Sequence, residues 1–254
     1  MAASKTEILY GFHPVHEALR ANRRAIHALL IRKARQDDRL VSICHMAEAQ
    51  GIIIQTVDER ELTEISGRGV HQGICARVSA MPYSDLTDVV AQGDFLTGSP
   101  FVVLLDSVQD PRNLGAVLRT AYCAGVDSVV IPRDRAAAPS PLVSKASAGA
   151  MEHLPIARVS NINNAMKFLK KKGLWLAGLE GGTQQSLFDC DLTMPLGLVV
   201  GGEEKGLRPL VKRHCDFLVA IPHARVFNSL NASVAAGLAM FETYRQRSQR
   251  LAAA

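Results

Sequence analysis

The sequence predicts an α/β protein of two domains: a small α/β unit over residues 1–80 and a larger parallel-sheet domain over residues 99–254, joined by a linker over 81–98. Three observations lead there. From Phe101 onward, continuous apolar runs alternate with amphipathic stretches, the pattern of a parallel sheet covered by helices on both faces. Before Ala80, shorter strand and helix signals alternate, bounded by Gly and charged residues. Between them, Pro82, Ser84, Gly93 and Gly98 interrupt any sustained period, leaving room for one helical turn. A chain of 254 residues is long enough for two such cores.

Taken in order, "YGFHPVHEALRAN" reads as a helix with Pro14 near its first turn, and "AIHALLIRK" as a strand. "DDRLVSICHMAEAQG" is a helix with acids at its start and Gly51 at its stop; "IIIQTV" is a strand, "DERELTEISG" a short helix and "HQGICARVSA" a strand. The second domain reads as strand "FVVLLDSV", helix "NLGAVLRTAYCAG", strand "DSVVIP", helix "SPLVSKASAGAMEHL", strand "PIARV" and helix "NINNAMKFLKKKG". Further strands follow at "LWLAGLE", "LGLVVGG" and "DFLVAIP", then a closing helix "SLNASVAAGLAMFETYRQRSQ".

Composition narrows the function. No apolar run is long enough to cross a bilayer and no targeting segment is evident, so a soluble, cytoplasmic protein without a membrane partner is expected. Five scattered cysteines without a C-x-x-C pair argue for buried reduced thiols, and eight histidines without ligand spacing argue against a metal. The net charge of +5 hints at a polyanionic partner. Arg20, Arg23, Arg24, Arg32, Lys33, Arg35 and Arg39 face only Asp37 and Asp38 within twenty residues, which fits either a solvated surface or a phosphate-contacting patch.

Ligands of an open parallel sheet gather at the carboxyl ends of its strands, and three such ends are polar here. After "FVVLLDSV", Asp110 can cap a helix with Pro111 at its first position, and Asn113 follows. From there Leu114, Val117, Leu118, Ala121 and Tyr122 form a buried stripe with Arg119 beside it, a place from which a lone arginine ordinarily snorkels to water. The second end is Gly201-Gly202-Glu203, either a plain turn or a place of close backbone approach to a ligand with an acid beside it. The third runs from Ile221 through Ser229, Asn231 and Ser233 into an Ala/Gly-rich helix, either an ordinary cap or a cradle for an anionic group. Neither G-x-G-x-x-G nor a Walker A sequence is present, so a conventional dinucleotide or P-loop site is not supported.

In this order, "DSVQDPRNLGAVLRTAYCAGVDSVVIP", "LVVGGEEKGL" and "IPHARVFNSLNASVAAGLAMFE" resemble the three signature motifs of the SpoU (TrmH-like) branch of SPOUT RNA 2′-O-ribose methyltransferases. "YGFHPVHEAL" and "GVHQGICARV" resemble the ribosomal-protein-like RNA-binding domain of the bacterial 23S rRNA guanosine 2′-O-methyltransferase group, so the similarity runs from about Ile8 to Arg247. The resemblance implies a deep trefoil knot in the C-terminal domain, an exception to the rule of un-knotted chains. It implies S-adenosylmethionine bound against Gly201, Gly202, Ile221 and Leu230, large-subunit ribosomal RNA as substrate, and a homodimer that completes the site. It also assigns the catalytic set to Asn113, Arg119, Glu203, Ser229 and Asn231.

Methyl transfer to a ribose 2′-oxygen requires loss of the hydroxyl proton and alignment of the oxygen behind the methyl. The family's arginine has been taken as the base, yet a free guanidinium is a poor one. Arg119 is therefore expected first as the group that pins the target phosphate and stabilises alkoxide charge, and second as a base deprotonated in the complex. Either role needs it desolvated. Glu203 could orient Arg119 or Asn113, while Ser229 and Asn231 could hold the loop or the ribose. Where the family commonly has small residues before S-L-N, this chain has His223, Arg225, Phe227 and Asn228, which bears on how the methionine end of the cofactor is held. The rival readings are a tRNA ribose methyltransferase of the same branch and a catalytically silent RNA-binding ribosome-assembly factor.

Overall fold

The structure, a computed structural model, describes residues 6–33, 38–91, 99–203, 206–225 and 229–252. By their contacts these divide into two units, one of Met1–Pro82 with Pro139–His153, the other of Tyr83–Ala138 with Leu154–Ala254.

The first unit contains β1 (Thr6–Tyr10), α1 (Phe12–Ala21), β2 (Ile26–Arg32), α2 (Asp38–Ala49), β3 (Ile53–Val57), α3 (Glu59–Ile65) and β4 (Ile74–Ser79). Its sheet has the order β1-β4-β2-β3, with β4 antiparallel to both neighbours and β2 parallel to β3. Strand β1 was not anticipated, because its short apolar run lies among charges; pairing with β4 along all five residues gives it strand form. Helix α1 buries Val15, Ala18 and Leu19 and stops at Asn22, whose left-handed backbone (φ 47°) lets its N–H donate to the Ala18 carbonyl. These side chains join Leu9, Leu29, Ile43, Ile74 and Val78 in one core.

The second unit contains α4 (Leu86–Ala91), β5 (Phe101–Asp106), α5 (Pro111–Cys123) and β6 (Ser128–Pro132). Helix α4 lies in the expected linker, and Val89 is buried in this unit's core. After β6 the chain enters the first unit as α6 (Pro141–Ala146) and a 3₁₀ turn at Ala150–Glu152. A single helix through this segment was expected. It breaks at Ala148 (φ 51°) and Gly149 (φ 84°), where the backbone packs against α1: a Cβ on Gly149 would lie 2.6 Å from Glu17 Cβ and 2.8 Å from the His13 carbonyl oxygen.

The returning segment carries Glu152, whose buried carboxylate accepts from Arg24 Nη2 and from Ser144 Oγ, both at 2.7 Å. Arg24 also meets Glu7 at 2.9 Å, and His153 Nε2 lies 2.7 Å from Glu17 Oε2. Of the basic cluster, Arg24 is thus a buried structural ion-pair member, Arg20 and Arg32 pair on the surface with Glu17 and Glu59, and Arg35 lies outside the described residues.

The second unit continues with β7 (Ile156–Val159), α7 (Ile162–Lys171), β8 (Trp175–Leu179), a 3₁₀ turn at Leu187–Asp189, β9 (Leu196–Gly201), α8 (Pro209–His214), β10 (Phe217–Val219) and α9 (Ala232–Ala252). Its six strands are all parallel in the order β10-β8-β9-β5-β6-β7. Chain order reverses between β5 and β9, the two central strands, and at such a switch the strand ends leave a crevice. Helix α7 packs Ile162, Ala165, Met166 and Leu169 onto this sheet, and α9 lies along α5, where a Cβ on Gly237 would meet Thr120 Cγ2 at 3.6 Å. Near its far end α9 is fastened by Arg247, which donates to the carbonyls of Ser99, Pro100 and Met194 with its guanidinium 5.0 Å from the Phe101 ring centroid.

The cysteines are free thiols: Cys75 and Cys190 are buried, while Cys123 is exposed, contrary to the expectation that all are internal. Burial pushes the thiols of Cys75 and Cys215 up to about 12, which keeps them protonated and unreactive.

Candidate functional site

The site is built on the ends of β5 and β9. Asp110 caps α5 through its carboxylate, which accepts from Arg112 N at 2.9 Å, and Pro111 fills the first helical position as its fixed φ favours. This sets Asn113 in the first turn. Its Nδ2 donates to Glu203 Oε1 at 2.9 Å, and its Oδ1 accepts from Asn231 Nδ2 at 3.2 Å. Asn231 in turn caps α9, its Oδ1 accepting from Ser233 N at 2.9 Å and Ser233 Oγ at 2.6 Å. Three segments far apart in sequence are joined through one chain of side-chain hydrogen bonds.

Gly201 and Gly202 end β9 beside this chain, with Gly201 in register with Asp106. Their missing side chains admit the protein's own backbone: a Cβ on Gly201 would collide with the Gly206 carbonyl carbon, and one on Gly202 would lie 2.5 Å from the Ser107 carbonyl oxygen. Ser107 itself adopts a left-handed φ of 68°, a local cost that a non-glycine residue bears only where its surroundings fix it.

The other expected residues fall as follows. Ile221 follows β10 at the sheet edge and is half-buried; His223 and Arg225 are exposed, and Phe227 and Asn228 lie outside the described residues. Ser229 and Leu230 are exposed on the approach to α9. Arg119 stands six residues past Asn113, exposed, and makes no hydrogen bond or ion pair among the described residues. The desolvation expected for it is not supplied within one chain: Leu114, Val117, Leu118 and Ala121 take the core-facing side of α5 and leave Arg119 outside.

On the exposed side of α5, a groove of about 470 Å³ runs between Ala116 and Thr120 and the α9 residues Ser233, Val234, Gly237, Leu238 and Phe241. Among the described residues no group of three or more His, Cys, Asp or Glu is arranged to hold a metal ion.

Two residues escaped the sequence reading. Asp106 closes the apolar run of β5 and is fully buried; Arg208 reaches it through Nη2 at 2.6 Å, Nε at 2.7 Å and its backbone N at 3.1 Å. An acid at the end of an otherwise apolar strand was the available signal, since a buried carboxylate requires donors.

Residues 100–241 match the model of the SpoU rRNA Methylase family. The chain belongs to that family. Residues 8–84 match the RNA 2′-O ribose methyltransferase substrate-binding family, so both halves of the chain are accounted for. Among the relatives of this SpoU methylase, the 23S rRNA (guanosine-2′-O-)-methyltransferase RlmB of Escherichia coli is 40% identical over 246 residues, covering 96% of this chain and all of that protein. Of solved structures, an AdoMet-bound rRNA methyltransferase from Sinorhizobium meliloti superposes with a TM-score of 0.79 at 25% identity, over 94% of this chain and 87% of that one. The SpoU methyltransferase AviRb of Streptomyces viridochromogenes, in complex with AdoMet, gives a TM-score of 0.81 at 24% identity, over 96% and 91%, and shows the fold alone.

Proposed function

We propose that this chain methylates the ribose 2′-oxygen of a guanosine in 23S ribosomal RNA, using S-adenosylmethionine, with residues 1–80 docking RNA and residues 99–254 catalysing in the cytoplasm. The observation that carries the reading is the hydrogen-bonded chain Asn113, Glu203 and Asn231, which gathers the three family motifs at the switch between β5 and β9. The identity to the E. coli enzyme supports ribosomal RNA as the substrate, and the substrate-binding module over residues 8–84 supports an RNA partner. No helix among the described residues is long and apolar enough to cross a membrane.

The residues present fit the cofactor. Ile221 and Leu230 offer partly open apolar surface for the adenine, Gly202 and Gly206 offer backbone groups for the nucleoside, and Gly206 leaves open space in which a Cβ would meet only Glu180 Oε2, at 3.7 Å. When bound, the cofactor supplies an electrophilic methyl on its sulfonium. Asn113 and Glu203 orient each other at the mouth of the site, Asn231 holds the start of α9 against them, and Ser229 is free to meet the ribose. Arg119 holds the target phosphate and offsets the charge that develops on the 2′-oxygen as its proton leaves.

The chain works as a homodimer in this reading. Val234, Leu238 and Phe241 are exposed along α9 at helical spacing, beside Ala116 and Thr120 of α5, the helix that also carries the exposed Arg119. A second copy on this face would bury the apolar stripe and remove Arg119 from water in one step. The deep trefoil knot belongs to the same proposal.

The test is transfer of labelled methyl from S-adenosylmethionine to 23S rRNA, tRNA or no RNA. Label in 23S rRNA that Arg119→Ala reduces by about a hundredfold or more is expected for loss of a group stabilising developing charge. Label only in tRNA, or RNA binding without transfer, overturns the reading.

A further inference from the structure

The described residues after β9 are tied down twice, to the end of β5 with Ser107 and to the first turn of α5. The leading part is held by the register of Gly201 with Asp106, by Gly202 against the Ser107 carbonyl, and by Glu203 on Asn113. The trailing part is held by Arg208, whose guanidinium and backbone N–H together give three donors to the Asp106 carboxylate. Asp106 is completely buried, and its charge is compensated by these donors and by Ser107 Oγ at 3.4 Å. Between the two ties Gly206 N donates to the Gly202 carbonyl at 3.1 Å, and Leu207 enters the core of the unit.

Resting on the function proposed above, we propose that Asp106 and Arg208 are positioning residues for cofactor binding. Their ion pair fixes where the chain returns at Arg208, and so the place of the Gly206 backbone group, while Asn113 holds the Glu203 carboxylate independently. Neither side chain touches the reacting atoms. The pair spans 102 residues of sequence, and it joins the end of one strand at the switch point to the loop that leaves the other. An ion pair that only stabilised the fold would serve equally well elsewhere in the unit, as Lys170 with Asp216 at 2.7 Å does.

The experiment uses the full chain with Asp106→Asn, Arg208→Gln, Arg208→Lys and, as a control for lost ion pairing, Lys170→Gln. Three quantities are read: the dissociation constant for S-adenosylmethionine by calorimetry, amide hydrogen exchange at Gly206 without cofactor, and the cofactor KM and kcat with saturating 23S rRNA. Asp106→Asn and Arg208→Gln should raise the dissociation constant and KM about tenfold or more, the scale of one charge-assisted hydrogen bond. They should quicken exchange at Gly206 and leave kcat within about twofold, the pattern of lost binding rather than lost chemistry. Arg208→Lys should recover part of the affinity, and Lys170→Gln should keep all of it.

Wild-type affinity and exchange in the Asp106 and Arg208 variants would overturn the assignment, as would an equal loss in Lys170→Gln. If Asp106→Asn does not fold, the Arg208 variants decide alone, their side chain being partly open to solvent. A wild-type protein that binds no S-adenosylmethionine sinks the proposed function and this inference together. Normal wild-type binding with unaffected variants sinks this inference only.

Discussion

Arg24 and Arg119 are the same side chain in opposite circumstances. Arg24 is sealed between Glu7 and Glu152, so removing one carboxylate leaves a buried guanidinium undercompensated. Glu152→Gln should destabilise the protein by about 3 kcal/mol, read as a lower denaturant midpoint, whereas Arg20→Ala on the surface should stay within about 0.5 kcal/mol. Glu242 gives a pH test. Hydrogen bonding from Arg245, against the opposing effect of burial and with help from Gln246, lowers its carboxyl below the usual 4.5. Stability from a lowered carboxyl is present above its unfolded value and fades as pH falls through the folded one. The melting-temperature gap between wild type and Glu242→Gln should therefore be widest at neutral pH, small for so exposed a partner, and close below pH 4.5. A gap independent of pH would contradict this. Such distinctions were hidden in the sequence: Arg20, Arg23 and Arg24 sit in one basic run, and burial depends on residues as distant as Glu152.

At the scale of elements, strongly periodic segments were legible because their own side chains decide them. Helix α5 begins at Pro111 under an Asp110 cap as its sequence indicates, and α7 buries one face at helical spacing. Strand β1 and the break after α6 were not legible, because the first depends on β4 and the second on α1. The exposure of Arg119 was not legible either, since a position beside an apolar stripe leaves open which way a long side chain points. The stripe on α9 makes its own prediction. Phe241→Glu should give a monomer by light scattering at micromolar concentration and lose methyl transfer while its melting temperature is nearly unchanged, since the residue is exposed in the single chain. A dimeric Phe241→Glu protein would count against the proposed interface. Gly202→Ala, with its new methyl 2.5 Å from the Ser107 carbonyl, should cost about 2 kcal/mol or more as an overpacked site, measurable as a lowered melting temperature.

For the whole molecule, the two cores and the parallel character of the second sheet were visible in the sequence, because uninterrupted apolar runs require cover on both faces. Strand order was not: β9 lies between β8 and β5, and β10 beyond β8, arrangements that no local period encodes. Nor was the allegiance of residues 139–153, which lie within the methylase match at 100–241 yet pack with the first unit. Exchange of modules between relatives is constrained by that allegiance. A chimera joined at residue 82 brings in a foreign surface to meet the native Glu152, His153 and Gly149, whereas one that transplants 139–153 as well keeps each of them opposite its own partner. Soluble yield and melting temperature of the two hybrids should separate clearly in favour of the two-piece graft.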